Sequence, residues 1–328
     1  MSSSNSNFKA ALDGLIRVLP PRFYDLIQEF CLNILKIAKH PEEMEPLLLH
    51  FAELTASQAV TPFEFAPYHR AIRTPTDYYK LGLDLVRPLI NFEKSALLGL
   101  DHLNGIETAL SRKENVILFA NHQIEADPQV ISLLVERVSP RLAEEIIYVA
   151  GERVLTDPMA IPFSMGRHLL CIYSKKYIDH PPENKLKKQL HNKKTMLKMS
   201  SLLEEGGHII YVAPSGGRDR PGPSGVVEVA AFDPQSIEMF YLMAKKAKTK
   251  THFHPLALST FDLMPPPGAR QTILGERREL NYAPARLFFG PAIDMESFIA
   301  EDKHTLRLVR CNAIFDLVVT QYKALGNL

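Results

Sequence analysis

Short, wholly apolar runs alternate with helix-like stretches from about residue 95 onward. Such runs are typical of strands buried on both faces, and helices between them favour a parallel sheet. Strands are predicted at residues 96–103, 115–120, 146–150, 169–173, 208–212, 252–258 and 287–290. Helices are predicted at 77–91, 105–113, 128–138, 185–203, 236–246 and 305–324. We therefore expect an α/β fold with a mostly parallel mixed sheet, covered by helices on both faces.

The first 70 residues have a different pattern, in which apolar residues recur at helical spacing. Helices are predicted up to about residue 19, over 22–40 and from Pro41, which suits a first helical position. No strand-like alternation precedes about residue 95, and the prolines of 62–75 indicate a linker. We predict a small N-terminal helical bundle at 1–70 and a larger α/β domain at 71–328.

Composition excludes several classes of protein. The 328 residues are 46% hydrophobic and 23% charged, as in globular proteins, and the net charge of +1 argues against nucleic-acid binding. No apolar run approaches the roughly 20 residues that cross a bilayer. Cys31, Cys171 and Cys311 form no C-x-x-C pair, which indicates core residues in a reducing compartment. We expect no metal and no cofactor, and a cytoplasmic location, or the plastid stroma if the chain is a trimmed mature form.

A histidine and an aspartate follow the strand at 115–120. His122 lies just past the strand end and Asp127 lies five residues further on, before Pro128. The two side chains can meet if His122 is in the turn and Asp127 is the N-cap of a helix that begins at Pro128. The carboxylate would then hold one imidazole nitrogen and leave the other as a general base. The alternative is a plain cap beside an ordinary loop histidine.

A glycine- and arginine-rich loop follows the strand at 208–212. Gly216 and the next glycine allow tight turns, and Arg218 and Arg220 are two apart in an extended segment, so they project to one side. Two convergent guanidinium groups suit a phosphate. The alternative is a solvated loop in which one arginine pairs with Asp219. The sequence lacks Gly-Lys-Ser/Thr and G-x-G-x-x-G motifs, which disfavours nucleotide enzymes.

A lysine-rich segment follows the strand at 169–173. Lys175, Lys176 and Tyr177 stand at its exit, and residues 175–198 hold eight lysines against two carboxylates, a net charge of +6. This segment predicts a docking surface for an acidic partner, and the alternative is a solvated helix face. His252 and His254 are better explained as core or surface residues than as metal ligands. Ser215 lacks a G-x-S-x-G context, which disfavours a serine hydrolase.

These motifs together resemble one known family. The His-x4-Asp of residues 121–128 is similar to the signature of glycerolipid acyltransferases. In the same order come VAGERV (149–154), PFSMGR (162–167), CIYSKK (171–176), APSGGRDRP (213–221), HPLAL (254–258) and DLMPPP (262–267). This ordered set resembles the soluble glycerol-3-phosphate 1-O-acyltransferases of plant plastids and some bacteria.

The resemblance implies a role for each matching residue. His122 would deprotonate the sn-1 hydroxyl of glycerol 3-phosphate, and Asp127 would orient it, with direct attack on an acyl thioester and no covalent acyl-enzyme. Lys176, Arg218 and Arg220 would bind the phosphate, with Lys175, Tyr177, Ser215 and Gly216 as additional candidates. Tyr177 replaces a histidine of the family, which leaves the phosphate site one potential cation poorer.

The implied donor is acyl carrier protein, or possibly acyl-CoA. Because the carrier is acidic, its predicted docking region is Lys185–Lys198. The expected product is 1-acyl-glycerol 3-phosphate (lysophosphatidate), in the first step of glycerophospholipid synthesis. Three alternatives stay open: an acyltransferase with another acceptor such as lysophosphatidate, a non-catalytic acyl-chain or phospholipid binder, and a phosphatase or hydrolase that uses the arginine loop.

Overall fold

The computed structural model describes residues 2–174, 178–268 and 274–326. In this part of the chain the α-helices are α1 (Ser2–Ile16), α2 (Pro21–Ile37), α3 (Pro41–Val60), α4 (Tyr78–Val86), α5 (Leu100–Ser111), α6 (Asp127–Val135), α7 (Pro140–Glu145), α8 (Glu152–Thr156), α9 (Ile161–Met165), α10 (Lys185–Glu205), α11 (Pro234–Lys246) and α12 (Lys303–Leu325). Short 3-10 turns lie at Arg87–Leu89, Pro182–Asn184 and Phe261–Leu263. No helix of these described ranges combines the length and the apolar character that crossing a membrane requires.

The strands form one large sheet and one short hairpin. They are β1 (Tyr68–His69), β2 (Ala96–Leu98), β3 (Asn115–Ala120), β4 (Ile147–Gly151), β5 (His168–Ile172), β6 (Ile209–Val212), β7 (Arg220–Pro221), β8 (Val227–Glu228), β9 (Thr251–Ser259) and β10 (Arg286–Phe289). Within the described residues the large sheet has the order β1-β5-β4-β6-β3-β9-β10-β2. Its five strands from β5 to β9 are mutually parallel, whereas β1 and β10 run antiparallel to their neighbours β5 and β9.

Alternate residues of β3 explain why helices lie on both faces of the sheet. Val116 and Leu118 belong to one apolar cluster, and Ile117 and Phe119 belong to a second one on the opposite face. The first cluster packs against α1–α6 and the second against α10–α12. All four side chains are fully buried, as a two-sided core requires. The predicted α/β class with a covered, mostly parallel sheet is confirmed.

The N-terminal helices share the core of the sheet's first face. Phe30 of α2 and Phe51 of α3 lie 5.3 Å apart, and both rings approach Phe163 of α9. All three helices contribute to the same apolar cluster as β3. The division at residue 70 stays a prediction.

Some boundaries differ from those predicted. The strand predicted at 96–103 ends at Leu98, because Gly99 adopts a φ of +75° and α5 begins at the next residue. The predicted linker at 62–75 contains the short strand β1, which pairs with β5. A two-residue strand is too short to show apolar alternation, which explains the miss.

The sheet topology brings four loops to one edge. Strands β5, β4, β6 and β3 are parallel neighbours, so their carboxyl ends point the same way. In open α/β sheets, ligands bind outside these ends. His122 follows β3, Arg218 follows β6, and Lys175 follows β5, although Lys175 lies outside the described residues. The β4 exit leads directly into α8.

Candidate active site

His122 and Asp127 form a hydrogen-bonded pair at the β3 exit. The Nδ1 atom of His122 lies 2.8 Å from Oδ2 of Asp127. The Asp127 side chain is 1% exposed, whereas that of His122 is 29% exposed. A buried carboxylate therefore holds an imidazole that remains accessible from outside. This geometry matches the predicted pair and leaves Nε2 of His122 to face a ligand.

The Asp127 carboxylate is held by four donors. Besides His122, its Oδ2 accepts the backbone N–H groups of Gln123 (2.8 Å) and Ile124 (3.2 Å), and its Oδ1 accepts the Thr260 hydroxyl (2.6 Å). These hydrogen bonds fix the orientation of the carboxylate. The prediction that Asp127 is the N-cap is wrong: Asp127 is the first residue of α6, and its side chain turns back to the preceding loop. Pro128 does lie in the first helical turn, as predicted.

A buried polar network joins this loop to the arginine loop. The Asp219 carboxylate accepts hydrogen bonds from the side-chain amides of Asn121 (2.8 Å) and Gln123 (3.2 Å), and from the backbone N–H of Ala230 (2.9 Å). The Asp219 backbone N–H donates to the carbonyl of His122 at 2.6 Å. Burial raises the pKa of the Asp219 carboxyl, and the three donors oppose that rise. Asp219 thus fixes the distance between the two loops.

The two predicted phosphate-binding arginines have different surroundings. Nη2 of Arg218 lies 2.6 and 2.8 Å from the two carboxylate oxygens of Glu276. Nη1 of Arg220 donates to the carbonyl of Asp219 at 3.1 Å. The Asp219 carboxylate itself accepts from Asn121, Gln123 and Ala230. Arg218 is thus paired with a carboxylate, and the binding of a phosphate by both arginines stays a prediction.

Several charged residues of this edge were not predicted. Arg153 of α8 lies 3.2 Å from Glu276 through its Nη2 atom. Arg278, which is 7% exposed, pairs with Glu125 at 2.8 and 3.0 Å. Glu276 and Arg278 come from a segment far along the chain, and no local motif marks it. The signal for Arg153 was present, since it follows a predicted strand in the same way as His122 does.

A cavity of about 130 Å³ lies beside the His122–Asp127 pair. Its wall is largely apolar and includes Phe30, Val154, Phe163, Leu169, Ala213 and Met264. Phe30 comes from α2, so the N-terminal helices help to enclose it. The cavity therefore offers an apolar chain a place next to a histidine.

Helix α10 carries the predicted lysine-rich surface. Most of its lysines are exposed, but Lys188 is buried and binds both Glu152 (2.8 Å) and the carbonyl of His180 (2.6 Å). Lys188 is therefore removed from the predicted docking surface. Lys185 pairs with Asp179 at 2.9 Å on the surface. Exposed leucines also lie on this helix, and charge patterning alone did not single them out.

The remaining candidates divide into three groups. Lys175, Lys176 and Tyr177 lie outside the described residues. Ser215 donates its hydroxyl to the carbonyl of Gly217 at 2.8 Å, and Gly216 has a φ of +60°, so both shape the turn. The two histidines of β9 have separate structural partners, Glu114 for His252 and the carbonyl of Gly290 for His254.

Comparison with known proteins agrees with this geometry. Residues 103–259 match the family model described as Acyltransferase, a range that runs from α5 to the end of β9 and includes both candidate loops. Residues 103–259 thus match this family, in agreement with the resemblance seen in the motifs.

The most specific similarity is to plant enzymes. The chain is 42% identical over 267 residues to a chloroplastic glycerol-3-phosphate acyltransferase of Cucurbita moschata, covering 80% of this chain and 58% of that protein. The corresponding protein of Arabidopsis thaliana is 38% identical over 269 residues, covering 81% and 59%. The chain thus spans slightly under three fifths of the length of these relatives. A solved structure, the 1-acyl-sn-glycerophosphate (LPA) acyltransferase of Thermotoga maritima, is 14% identical with a TM-score of 0.40 and 96% coverage of both chains.

Proposed function

We propose that this protein transfers a fatty acyl group from an acyl thioester to the sn-1 hydroxyl of glycerol 3-phosphate. The observation that carries the proposal is the His122–Asp127 pair, with its 2.8 Å hydrogen bond, between an apolar cavity and the arginine loop. The similarity to chloroplastic glycerol-3-phosphate acyltransferases supports this choice of acceptor. The product would be 1-acyl-glycerol 3-phosphate.

In the proposed reaction, His122 acts as general base. Asp127 keeps the proton on Nδ1, so the Nε2 lone pair can take the proton of the acceptor hydroxyl. The hydroxyl oxygen attacks the thioester carbonyl carbon, and the tetrahedral intermediate collapses as the C–S bond breaks. The departing thiolate then takes the proton from the imidazolium. A thioester is already activated, so this route needs no covalent acyl-enzyme.

The acceptor's phosphate would bind at the arginine loop. Arg218 places its guanidinium on the loop that Asp219 ties to the carbonyl of His122. A phosphate bound there would hold the hydroxyl of its glycerol at a fixed distance from the base. Such positioning accelerates the reaction because the hydroxyl and the base no longer have to meet by diffusion. Arg220 and Lys176 complete the proposed set, with Lys176 assigned from the motif alone.

The fatty acyl chain would enter the cavity beside His122. Its aromatic and aliphatic wall removes methylene groups from water, which stabilises the bound chain by about 0.8 kcal/mol for each group buried. Because His122 lines the cavity, a chain bound there would place its thioester carbonyl near the base. Acyl chains are therefore favoured over polar donors.

Acyl carrier protein is our proposed donor, and α10 is its proposed docking surface. The exposed lysines Lys187, Lys193 and Lys194 give this helix a positive face toward an acidic partner. Three exposed leucines accompany them, at spacings of four and seven residues that place them on one side of the helix: Leu186, Leu190 and Leu197. An apolar stripe beside positive charges is typical of a protein interface rather than of a plain solvated face.

One experiment tests the proposed activity. The purified protein is incubated with an acyl thioester and, in parallel, with glycerol 3-phosphate, glycerol or lysophosphatidate, and the products are identified by mass spectrometry. We expect a mono-acylated glycerol 3-phosphate, much less acylglycerol and no phosphatidate. Phosphatidate as the main product would instead support the lysophosphatidate acyltransferase, and thioester hydrolysis without transfer would support a hydrolase.

One alternative function and the cellular location also remain proposals. A non-catalytic acyl binder would show binding of the acyl chain without any product in the same experiment. The relatives are described as chloroplastic, which supports the plastid stroma as the location of this protein.

A further inference from the structure

We propose that Arg153 is a further phosphate-binding residue, held beside Arg218 by the buried carboxylate of Glu276. This inference rests on the proposed function, because it names an additional ligand of the same acceptor. Nη2 of Arg153 lies 3.2 Å from Oε2 of Glu276, and Nη2 of Arg218 lies 2.6 Å from Oε1. Two guanidinium groups that would otherwise repel each other thus contact one carboxylate.

The sheet topology supports the position of Arg153 independently of these contacts. The order β5-β4-β6-β3 places the β4 exit next to the β6 exit, which leads to Arg218. Neighbouring strands are about 4.8 Å apart, so residues at adjacent exits can reach one ligand. Arg153 is the second residue after β4. It supplies a cation at a strand exit from which the sequence analysis took no candidate.

Glu276 is suited to hold the pair without blocking it. Its side chain is 5% exposed and contacts one nitrogen, Nη2, of each arginine. A guanidinium carries five N–H donors in a rigid fork, so the carboxylate orients each group and engages only part of its donors. The two arginines bring two positive charges to this one carboxylate. An anion such as a phosphate monoester complements these positive charges.

The segment that carries Glu276 is itself anchored. The N–H of Gly275 donates to Asp157 at 2.9 Å, and the carbonyl of Glu276 accepts from Arg278 at 2.9 Å. Gly275 has a φ of +80°, a conformation that favours glycine and turns the chain at this point. The backbone is therefore fixed on both sides of Glu276, as a residue that positions two others requires.

The test separates binding from turnover. Arg153→Met and Arg153→Lys are compared with the wild type for kcat, for KM of glycerol 3-phosphate and for competitive inhibition by inorganic phosphate. We expect Arg153→Met to raise both the KM and the phosphate inhibition constant about tenfold to a hundredfold, as for one lost charge-assisted hydrogen bond. We expect kcat and the KM of the acyl donor to change less than about twofold, since no bond to the reacting atoms is lost. Arg153→Lys should recover part of the affinity.

Arg141→Met is the matched control, because Arg141 is 71% exposed on α7 and pairs only with its helix neighbour Glu145 among the described contacts. Unchanged KM and inhibition constants in Arg153→Met would overturn the inference. Glu276→Gln should raise the same two constants, with Glu279→Gln, an exposed residue of the same segment, as its control. A lower KM in Glu276→Gln would mean that this carboxylate competes with phosphate, and would overturn its positioning role.

A measurement without acyl transfer keeps this inference separable from the proposed function. Inorganic phosphate that binds the folded protein raises its Tm, by an amount set by concentration and affinity. We expect this stabilisation to weaken in Arg153→Met and to persist in Arg141→Met. If glycerol 3-phosphate is not acylated but the stabilisation still depends on Arg153, the proposed function fails and the anion site stands. Stabilisation that is equal in both variants overturns the site.

Discussion

The loop after β3 and the loop after β6 meet at one edge of the sheet, but different interactions hold them. In the β3 loop, Asn121, Gln123 and Asp127 are fully buried. The side chains of Asn121 and Gln123 bind backbone groups of β9 and its exit, and Asp127 accepts the Thr260 hydroxyl. In the β6 loop, Arg218 is held by an ion pair with Glu276, 58 residues away in the chain. Hydrogen bonds within the sheet fix the β3 loop. The β6 loop is joined to it through Asp219, but its Arg218 is held by a charge that a remote segment supplies.

This difference suggests that the β3 loop sets the orientation of the base, whereas the β6 loop sets the affinity for the phosphate. A base needs a constant orientation, and buried hydrogen bonds of fixed direction give it one. A phosphate site needs positive charge that remains accessible, and ion pairs at the surface of the core allow this. We therefore expect changes in the β3 loop to act on kcat, and changes in the β6 loop to act on KM.

The largest effect is expected for His122→Ala. Loss of the general base should lower kcat by about a hundredfold to ten-thousandfold or abolish detectable turnover. Binding of glycerol 3-phosphate, measured by calorimetry, should stay close to that of the wild type. Unchanged turnover in a folded His122→Ala protein would remove the pair from the mechanism.

Arg218→Ala comes next. We expect the KM for glycerol 3-phosphate to rise by about ten- to a hundredfold, because a charge-assisted hydrogen bond to the acceptor is lost. Glycerol without a phosphate should be a poor acceptor for both proteins. Arg141→Ala is the control, since Arg141 is exposed on α7 and pairs with Glu145. Equal rates with glycerol and glycerol 3-phosphate would contradict phosphate recognition altogether.

A smaller effect on kcat is expected for Thr260→Val. This change removes the 2.6 Å hydrogen bond to Asp127 while keeping the shape of the side chain. A loss of about tenfold in kcat corresponds to the value of one buried hydrogen bond to a charged group. Thr260→Ser should restore most of the activity, and the acceptor KM should hardly move. A change confined to KM would show that Thr260 acts elsewhere than on the pair.

The smallest effect is expected on α10. Reversal of Lys187, Lys193 and Lys194 to glutamate should reduce kcat/KM several-fold with the carrier-protein donor and leave acyl-CoA use nearly unchanged, because steering acts on a charged macromolecular partner. Reversal of Lys246, Lys248 and Lys250, which are also exposed, is the control. Added salt should diminish the difference between donors. Equal losses with both donors would argue against docking on this helix.

The sequence analysis succeeded where a feature is local. The strand Asn115–Ala120 has the predicted bounds, and the meeting of His122 with Asp127 depends only on a turn of five residues. The predicted N-cap role of Asp127 was wrong because its carboxylate binds donors of the preceding loop and the Thr260 hydroxyl of the β9 exit, rather than N–H groups of α6. Lys188 was also misassigned, because charge patterning does not reveal that this lysine is buried and paired with Glu152.

The sequence analysis missed features that depend on distant segments. Glu276 reaches Arg153 and Arg218 from more than 50 residues away, and a single sequence carries no periodicity that would pair them. The strand order was likewise not predicted, and it is this order that makes the β4 exit a neighbour of the β6 exit. Both the contacts of Glu276 and the strand order are set by tertiary packing, which local sequence propensity does not report.

Helix α2 has a consequence for how the molecule would respond to its acceptor. Arg22 donates to the carbonyl of Gly275 at 2.9 Å, and Glu29 pairs with Arg277. The residue between those two contacts is Glu276. A phosphate that orders Arg153 and Arg218 would also order the Gly275–Arg277 segment and so strengthen its contacts with α2. By thermodynamic linkage, loss of the α2 contacts would lower the affinity for that phosphate. Amide hydrogen exchange along α2 would then report on occupancy of a site that this helix does not touch.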